Sequence, residues 1–137
     1  MAQPYGPPIT AAQAQQAAAA ALAEARKHAW TMAVAIVDPS GTLVRFEKID
    51  DTQTGSAQVA IDKARSAARF KRATKSFQDA LAGGGVGLRV LAIQGAIPVE
   101  GGVPLEVGGR IIGAIGVSGG TSEQDGQCAL AGAAALA

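Results

Sequence analysis

Residues Gly101 to Gly120 read GGVPLEVGGRIIGAIGVSGG and hold eight of the chain's eighteen glycines. The stretch has the shape of a hairpin. A strand near Val103 to Val107 leads to a Gly108-Gly109 turn and a second strand near Arg110 to Val117, which runs out through Ser118-Gly119-Gly120 toward a helix start. Glycine permits positive φ and lets other groups approach the backbone closely, but it otherwise weakens a strand. Gly113 and Gly116 sit inside an apolar run, so a ligand or a neighbouring subunit must come close there. This stretch constrains the fold most and is the first place to look for a site.

The rest of the chain reads as one domain, residues 10–137, behind a proline-rich arm at residues 1–9. Its 137 residues can bury a core without disulfide or metal staples. A formal charge of +1 points to neither nucleic acid nor an anionic membrane surface. The single Cys128 excludes an internal disulfide and fits a reducing, cytoplasmic compartment. The alanine tract from Ala11 to Ala25 lacks the basic flank of a signal peptide, and no apolar run reaches the roughly 18–20 residues of a membrane span.

Thr10, with Gln13 in the capping-box position, starts a helix that runs to about Lys27. Thr31 to Val37 is a β-branched apolar strand, Asp38 to Gly41 a turn, and Thr42 to Lys48 the partner strand. Gly55 to about Arg72 is a second helix, and Thr74 caps a shorter one ending at Gly83 to Gly85. Leu88 to Ile93 reads as a short strand, and Thr121 with Gln124 caps a C-terminal helix. Two strands, two helices and three more strands make an α+β domain, an antiparallel sheet with helices packed on it.

Several motifs invite chemistry. Gly116-Val117-Ser118-Gly119-Gly120 matches the G-x-S-x-G nucleophile elbow, but no histidine follows Ser118, and the only one, His28, lies upstream. The backbone N–H groups of Gly119, Gly120 and Thr121 head a helix and can hold a carboxylate, unless Thr121 and Gln124 satisfy those donors themselves. Arg65, Arg69 and Arg72 form a basic stripe that meets solvent, an acidic ligand or a partner. Lys63 lies beside the apolar positions Ala60 and Ala64. It either pairs with an acid such as Asp62 or Glu100, or serves, desolvated, as base or nucleophile. Asp125 stands in the first turn of the last helix, where the dipole favours it. No metal-ligand spacing occurs, and Gly83 to Gly87 precedes no helix, against a phosphate loop.

Three segments together resemble the GlcG/HbpS family, also found as the C-terminal domain of PduO-type proteins: TMAVAIVDPSGTLVRFEKID, IDKARSAARFKRAT and GGVPLEVGGRIIGAIGVSGGTSEQD. The resemblance covers nearly the whole chain after the arm. It implies a profilin-like fold with a five-stranded antiparallel sheet, homo-oligomers from dimer to octamer, and a small-ligand site. Several members bind haem, and others belong to catabolic operons. Lys63 matches the family's K-A dipeptide, and Gly101-Gly102 and Ser118-Gly119-Gly120 match its glycine segments.

The chain departs from the family at Thr42, where members often carry histidine, at Lys48 to Thr52, where they often read R-M-D-G-A, and at Ala73-Thr74, usually Pro-Thr. A haem iron would therefore take His28, Cys128, Met32 or an oxygen donor. Two functions follow as expectations. In the first, an oligomeric binding protein holds haem or another anionic metabolite with Lys63, Arg69, Gly101, Gly102, Ser118, Gly119 and Gly120. In the second, a cofactor-independent isomerase, lyase or hydrolase acts on a small carboxylic or cyclic metabolite through Lys63, Glu100 and Asp125.

Overall fold

The computed structural model describes residues 3–136. Helix α1 (Ala11–Lys27) begins at the expected capping box: the Gln13 N–H donates to Thr10 Oγ1 at 3.1 Å, and the Thr10 N–H donates to Gln13 Oε1 at 2.9 Å. Its buried stripe is nearly all alanine, with Leu22 the one large side chain. Strands β1 (Ala33–Val37) and β2 (Leu43–Lys48) flank the Asp38–Gly41 turn. Helix α2 (Ser56–Phe70) stops where Lys71 takes a left-handed conformation, short of Arg72. Helix α3 (Thr74–Ala82) follows, then β3 (Gly102–Val107), β4 (Arg110–Ser118) and α4 (Ser122–Ala134), which opens on the expected Thr121–Gln124 capping box.

The sheet is antiparallel with strand order β2-β1-β4-β3. It has four strands and not five, because Leu88 to Ile93 is no strand; it belongs to a run of 3-10 turns over Gly85–Ala92. Gly84 and Gly85 both have positive φ and fold the chain back on α3. Gly87 then lies so close to the Ala80 carbonyl that a Cβ there would collide with it. Only Val90 of this segment is buried, beside Phe77 and Ala96, while Val86, Leu88 and Leu91 stay exposed.

Beyond the end of β1 the arm takes over as neighbour to β4. The Ile111 N–H donates to the Pro4 carbonyl, and Gly6 and Ile9 donate to the carbonyls of Ile111 and Ile112. The Tyr5 hydroxyl reaches the Ala68 carbonyl at 2.6 Å.

Alternation along the strands gives the sheet two unlike faces. Val34, Ile36, Ile115 and Val117 meet α1 and α4; Ala33, Ala35 and Ala114 meet Ala60, Ala64 and Ala67 of α2. Gly116 pairs with Ala35 on the α2 side, and a Cβ there would strike the Ala60 carbonyl and come within 2.6 Å of the Ala64 nitrogen. At Gly116 the close approach is made by the protein's own second helix, and at Gly113 by the Val37 carbonyl and the Ile9 side chain, so the expected ligand or neighbouring subunit is not what comes close there.

Candidate functional site

At the head of β3, Gly101 and Gly102 leave room for a buried ion pair. Lys63 reaches from α2 past the end of the sheet, and its Nζ donates to Asp125 Oδ2 on α4 at 3.0 Å and to the Val117 carbonyl at 3.0 Å. A Cβ on Gly101 would lie 2.7 Å from that Nζ, and one on Gly102 would come within 2.9 Å of the Lys63 carbonyl carbon. The two charged side chains are 1% and 4% exposed. Lys63 thus pairs with Asp125, and neither Asp62 nor Glu100 takes that place. Burial pushes the Asp125 carboxyl up from its ordinary value, against the opposite pull of Lys63 and the Gly120 N–H.

The start of α4 is satisfied from within. The Gly120 N–H donates to Asp125 Oδ1 at 2.9 Å, the Thr121 N–H to Gln124 Oε1 at 3.0 Å, and the Gln124 N–H to Thr121 Oγ1 at 3.2 Å. Of the two readings open for this helix end, self-capping is the one observed. The Gly119 backbone sits against Thr31 and Met32 of the strand entry, and Ser118 is buried at the end of β4.

Glu100 is set apart from the ion pair. Its N–H donates to Gln78 Oε1 at 2.7 Å, and its side chain lies on Gly126 of α4, where a Cβ would come within 2.9 Å of the carboxyl carbon. Here Glu100, Gly101, Gly102, Lys75, Val103 and Leu130 line a hollow of about 140 Å³. Its floor is backbone and apolar side chain; its charges are one carboxylate and one ammonium, the latter also held by Asp79 at 3.1 Å.

Arg69 lies elsewhere. Its Nε donates to the Ser40 carbonyl at 3.0 Å, and Arg65 Nε donates to the Gly41 carbonyl at 3.1 Å, so two of the three stripe arginines clamp the β1–β2 turn. They border a separate open hollow of about 320 Å³ with Asp62, Gln94 and Ile97, which shares no lining residue with the Glu100 hollow.

Thr74, Lys75, Gln78 and Gly126 were not singled out as site residues by sequence reasoning. Thr74 is the first residue of α3 and Ala73 its cap; the Thr74 hydroxyl is diverted to accept the Gly102 N–H at 2.9 Å. Gly126 did carry a signal, since a glycine inside a helix costs about 1 kcal/mol relative to alanine and needs a packing reason.

A family model described as the haem-degrading protein HbpS-like family matches residues 9–134. The chain belongs to this HbpS-like family. Protein GlcG of Escherichia coli strain K12 is 39% identical over 108 residues, covering 76% of this chain and 79% of GlcG. Among solved structures, Klebsiella pneumoniae protein ORFY superposes with a TM-score of 0.86 at 32% identity, covering 96% of this chain and 92% of that one. A PduOC:haem complex superposes with a TM-score of 0.84 at 30% identity, covering 94% and 95%.

The donors of this HbpS-like chain fit a haem poorly. Met32 and Cys128 are wholly buried, and burial pushes the Cys128 thiol up to about 11. His28 caps α1, stacks on Trp30 at 4.3 Å between ring centres, and holds Glu24 Oε2 at 3.0 Å. None of the three lines the Glu100 hollow, which at about 140 Å³ is also smaller than the ~300–1,000 Å³ typical of cofactor pockets. Among the described residues no group of three or more His, Cys, Asp or Glu could hold a metal ion, and no helix is long and apolar enough to cross a membrane.

Proposed function

We propose that this protein is a homo-oligomeric binder of a small anionic metabolite, held at the head of β3 between Glu100 and Lys75. The observation that carries this reading is the hollow over Gly101–Gly102, which joins an apolar floor to one ammonium and one carboxylate. Lys75 meets the ligand's carboxylate, Val103 and Leu130 cover a short carbon skeleton, and Glu100 accepts a hydrogen bond from a hydroxyl or amine. Lys63 and Asp125 act from behind, as positioning residues that fix the Gly101 backbone. The volume suits a ligand of a few carbon atoms, which favours a short carboxylic acid over haem even though a relative is known as a haem complex.

A second reading rests on Glu100 alone. Of the three acid–base candidates, its side chain is the one that borders a hollow, and a carboxylate beside a bound carboxylic acid can move a proton at the adjacent carbon. That reading makes the protein a cofactor-independent enzyme of small-acid catabolism.

The test has two arms. Short hydroxy, keto and amino acids are screened by thermal shift against the wild type and Leu130→Trp, which fills the hollow; stabilisation of the wild type alone is expected. Hemin is titrated in parallel and followed by its absorption spectrum, with no Soret shift at micromolar ligand expected. A saturable shift, with no short acid stabilising the fold, overturns the assignment in favour of haem.

A further inference from the structure

The two edges of the sheet are finished differently. On β3 the Gly101 carbonyl accepts the Val117 N–H, so by the alternation of an antiparallel ladder Gly102 and Pro104 turn their backbone groups outward. Gly102 spends its N–H on Thr74, and Pro104 has none, so that edge is blunted. On β2 the Ile49 N–H donates to the Met32 carbonyl at 3.0 Å, which turns Arg45 and Glu47 inward and Phe46 and Lys48 outward. No described residue pairs with that outer edge. Leu43, Val44 and Phe46 are 40%, 38% and 36% exposed. Arg45 Nε is buried without a hydrogen-bond partner, and its guanidinium meets Glu47 of the same strand only at 3.4 Å.

We infer that β2 is a two-fold interface, pairing antiparallel with β2 of a second copy about Phe46, so that two four-stranded sheets join into one of eight. This rests on the self-association in the function proposed above and adds where it occurs. The sequence of the strand is self-complementary in this register. Phe46 faces Phe46 of the other copy across a hydrogen-bonded pair that its outward N–H and C=O are phased to make. Arg45 faces Glu47 of the other copy, and Glu47 faces Arg45, both at closely spaced non-hydrogen-bonded positions where opposite charges attract and like charges repel. Registers centred on Arg45 or Glu47 put like charges opposite one another. The bulge at Val44, between Leu43 and Arg45, ends the pairable stretch.

The experiment is a charge swap read by analytical ultracentrifugation. Arg45→Glu places two acids on each strand and Glu47→Arg places two bases, so each variant alone is expected to sediment at half the wild-type mass or less. An equimolar mixture of the two is expected to return to the wild-type mass, which no contact within one strand can explain. Circular dichroism checks that each variant is folded. Should either unfold, Phe46→Cys gives an independent reading. Its Cα atoms would stand about 5.5 Å apart across the axis, inside the range a disulfide bridges, so oxidation yields a covalent dimer. Single-charge variants that keep the wild-type mass, a mixture that stays dissociated, or Phe46→Cys that fails to cross-link overturns the interface and leaves self-association standing. A wild type that sediments as a monomer overturns both.

Discussion

On one face of the sheet Val34, Ile36, Ile115 and Val117 meet α1 and α4 through branched side chains. On the other, Ala33, Ala35, Ala114 and Gly116 meet α2 through almost no side chain. The first face gains stability from apolar volume, the second from backbone proximity, and they fail in opposite ways: one by losing atoms, the other by gaining them. The α2 layer also contains the largest fully buried side chain among the described residues, and it is a lysine. Lys63 crosses from that layer to Asp125 in the other, so the two layers are tied by charge at the place where the candidate site forms.

Breaking that tie gives the largest expected effect. Lys63→Met leaves the Asp125 carboxylate buried without its cation, at a cost of about 3–5 kcal/mol near neutral pH. Burial already raises the Asp125 pKa in the folded protein, and removing Lys63 raises it further. A folded pKa above the unfolded value of about 3.9 means that the protonated group favours the fold below that pH. The contribution is lost as pH rises through the folded pKa. Urea denaturation is therefore expected to show a deficit that is full at about pH 8 and shrinks toward pH 4. A deficit that does not change with pH would separate Asp125 from the effect.

Adjacent residues of β4 sharpen the comparison between the faces. Gly116→Ala puts a Cβ into the Ala60 carbonyl of α2, and backbone cannot move aside as a side-chain tip can. Overpacking of this kind costs about 3 kcal/mol. Ile115→Val, one residue away on the other face, removes one methylene and costs about 1 kcal/mol. Chemical denaturation of both variants is expected to rank the alanine as the more harmful. The reverse order would mean that α2 can lift from the sheet at little cost.

Much of this is legible in the sequence. The capping residues Thr10 and Thr121 act locally, through hydrogen bonds three residues away, and were read correctly from spacing. Gly113 and Gly116 announce a close approach, yet no local pattern says that α2 makes it at Gly116, or Val37 and Ile9 at Gly113, because these partners all lie more than fifty residues upstream in sequence. Leu88 to Ile93 misled for a related reason: a short apolar run reads as a strand, and only Gly87 folded onto Ala80 turns it into 3-10 turns. Within the candidate site, the glycines and Lys63 stand out as residue types in unusual places, whereas Thr74, expected to cap α3, is instead its first residue behind the cap Ala73 and gives its hydroxyl to a strand. The Lys63–Asp125 pairing joins residues 62 positions apart, and spacing carries no trace of it.

An effect as small as that of Ile115→Val is expected at the rim of the α2 face, where Arg65 and Arg69 hold the carbonyls of Gly41 and Ser40. The turn they hold is organised by Asp38, whose Oδ1 accepts the Ser40 hydroxyl at 2.6 Å and the N–H groups of Ser40 and Thr42 at 2.9 and 3.0 Å. The Ser40 hydroxyl, followed by those backbone donors, holds the Asp38 carboxyl below its ordinary value. Here the sign is opposite to that at Asp125. A depressed folded pKa adds stability that is complete above the unfolded value of about 3.9 and is lost as pH falls through the folded one. Asp38→Asn keeps an acceptor and removes the charge, which exchanges charge-assisted hydrogen bonds for neutral ones at a cost of about 1 kcal/mol near pH 7. Denaturation curves of wild type and variant are expected to converge as pH falls below about 3.9, whereas the Lys63→Met deficit closes above that pH, as the raised Asp125 carboxyl takes up its proton. If the Asp38→Asn deficit instead persists into acid, the turn depends on the shape of the side chain, and the α2 rim is held by Arg65 and Arg69 without help from the charge at Asp38.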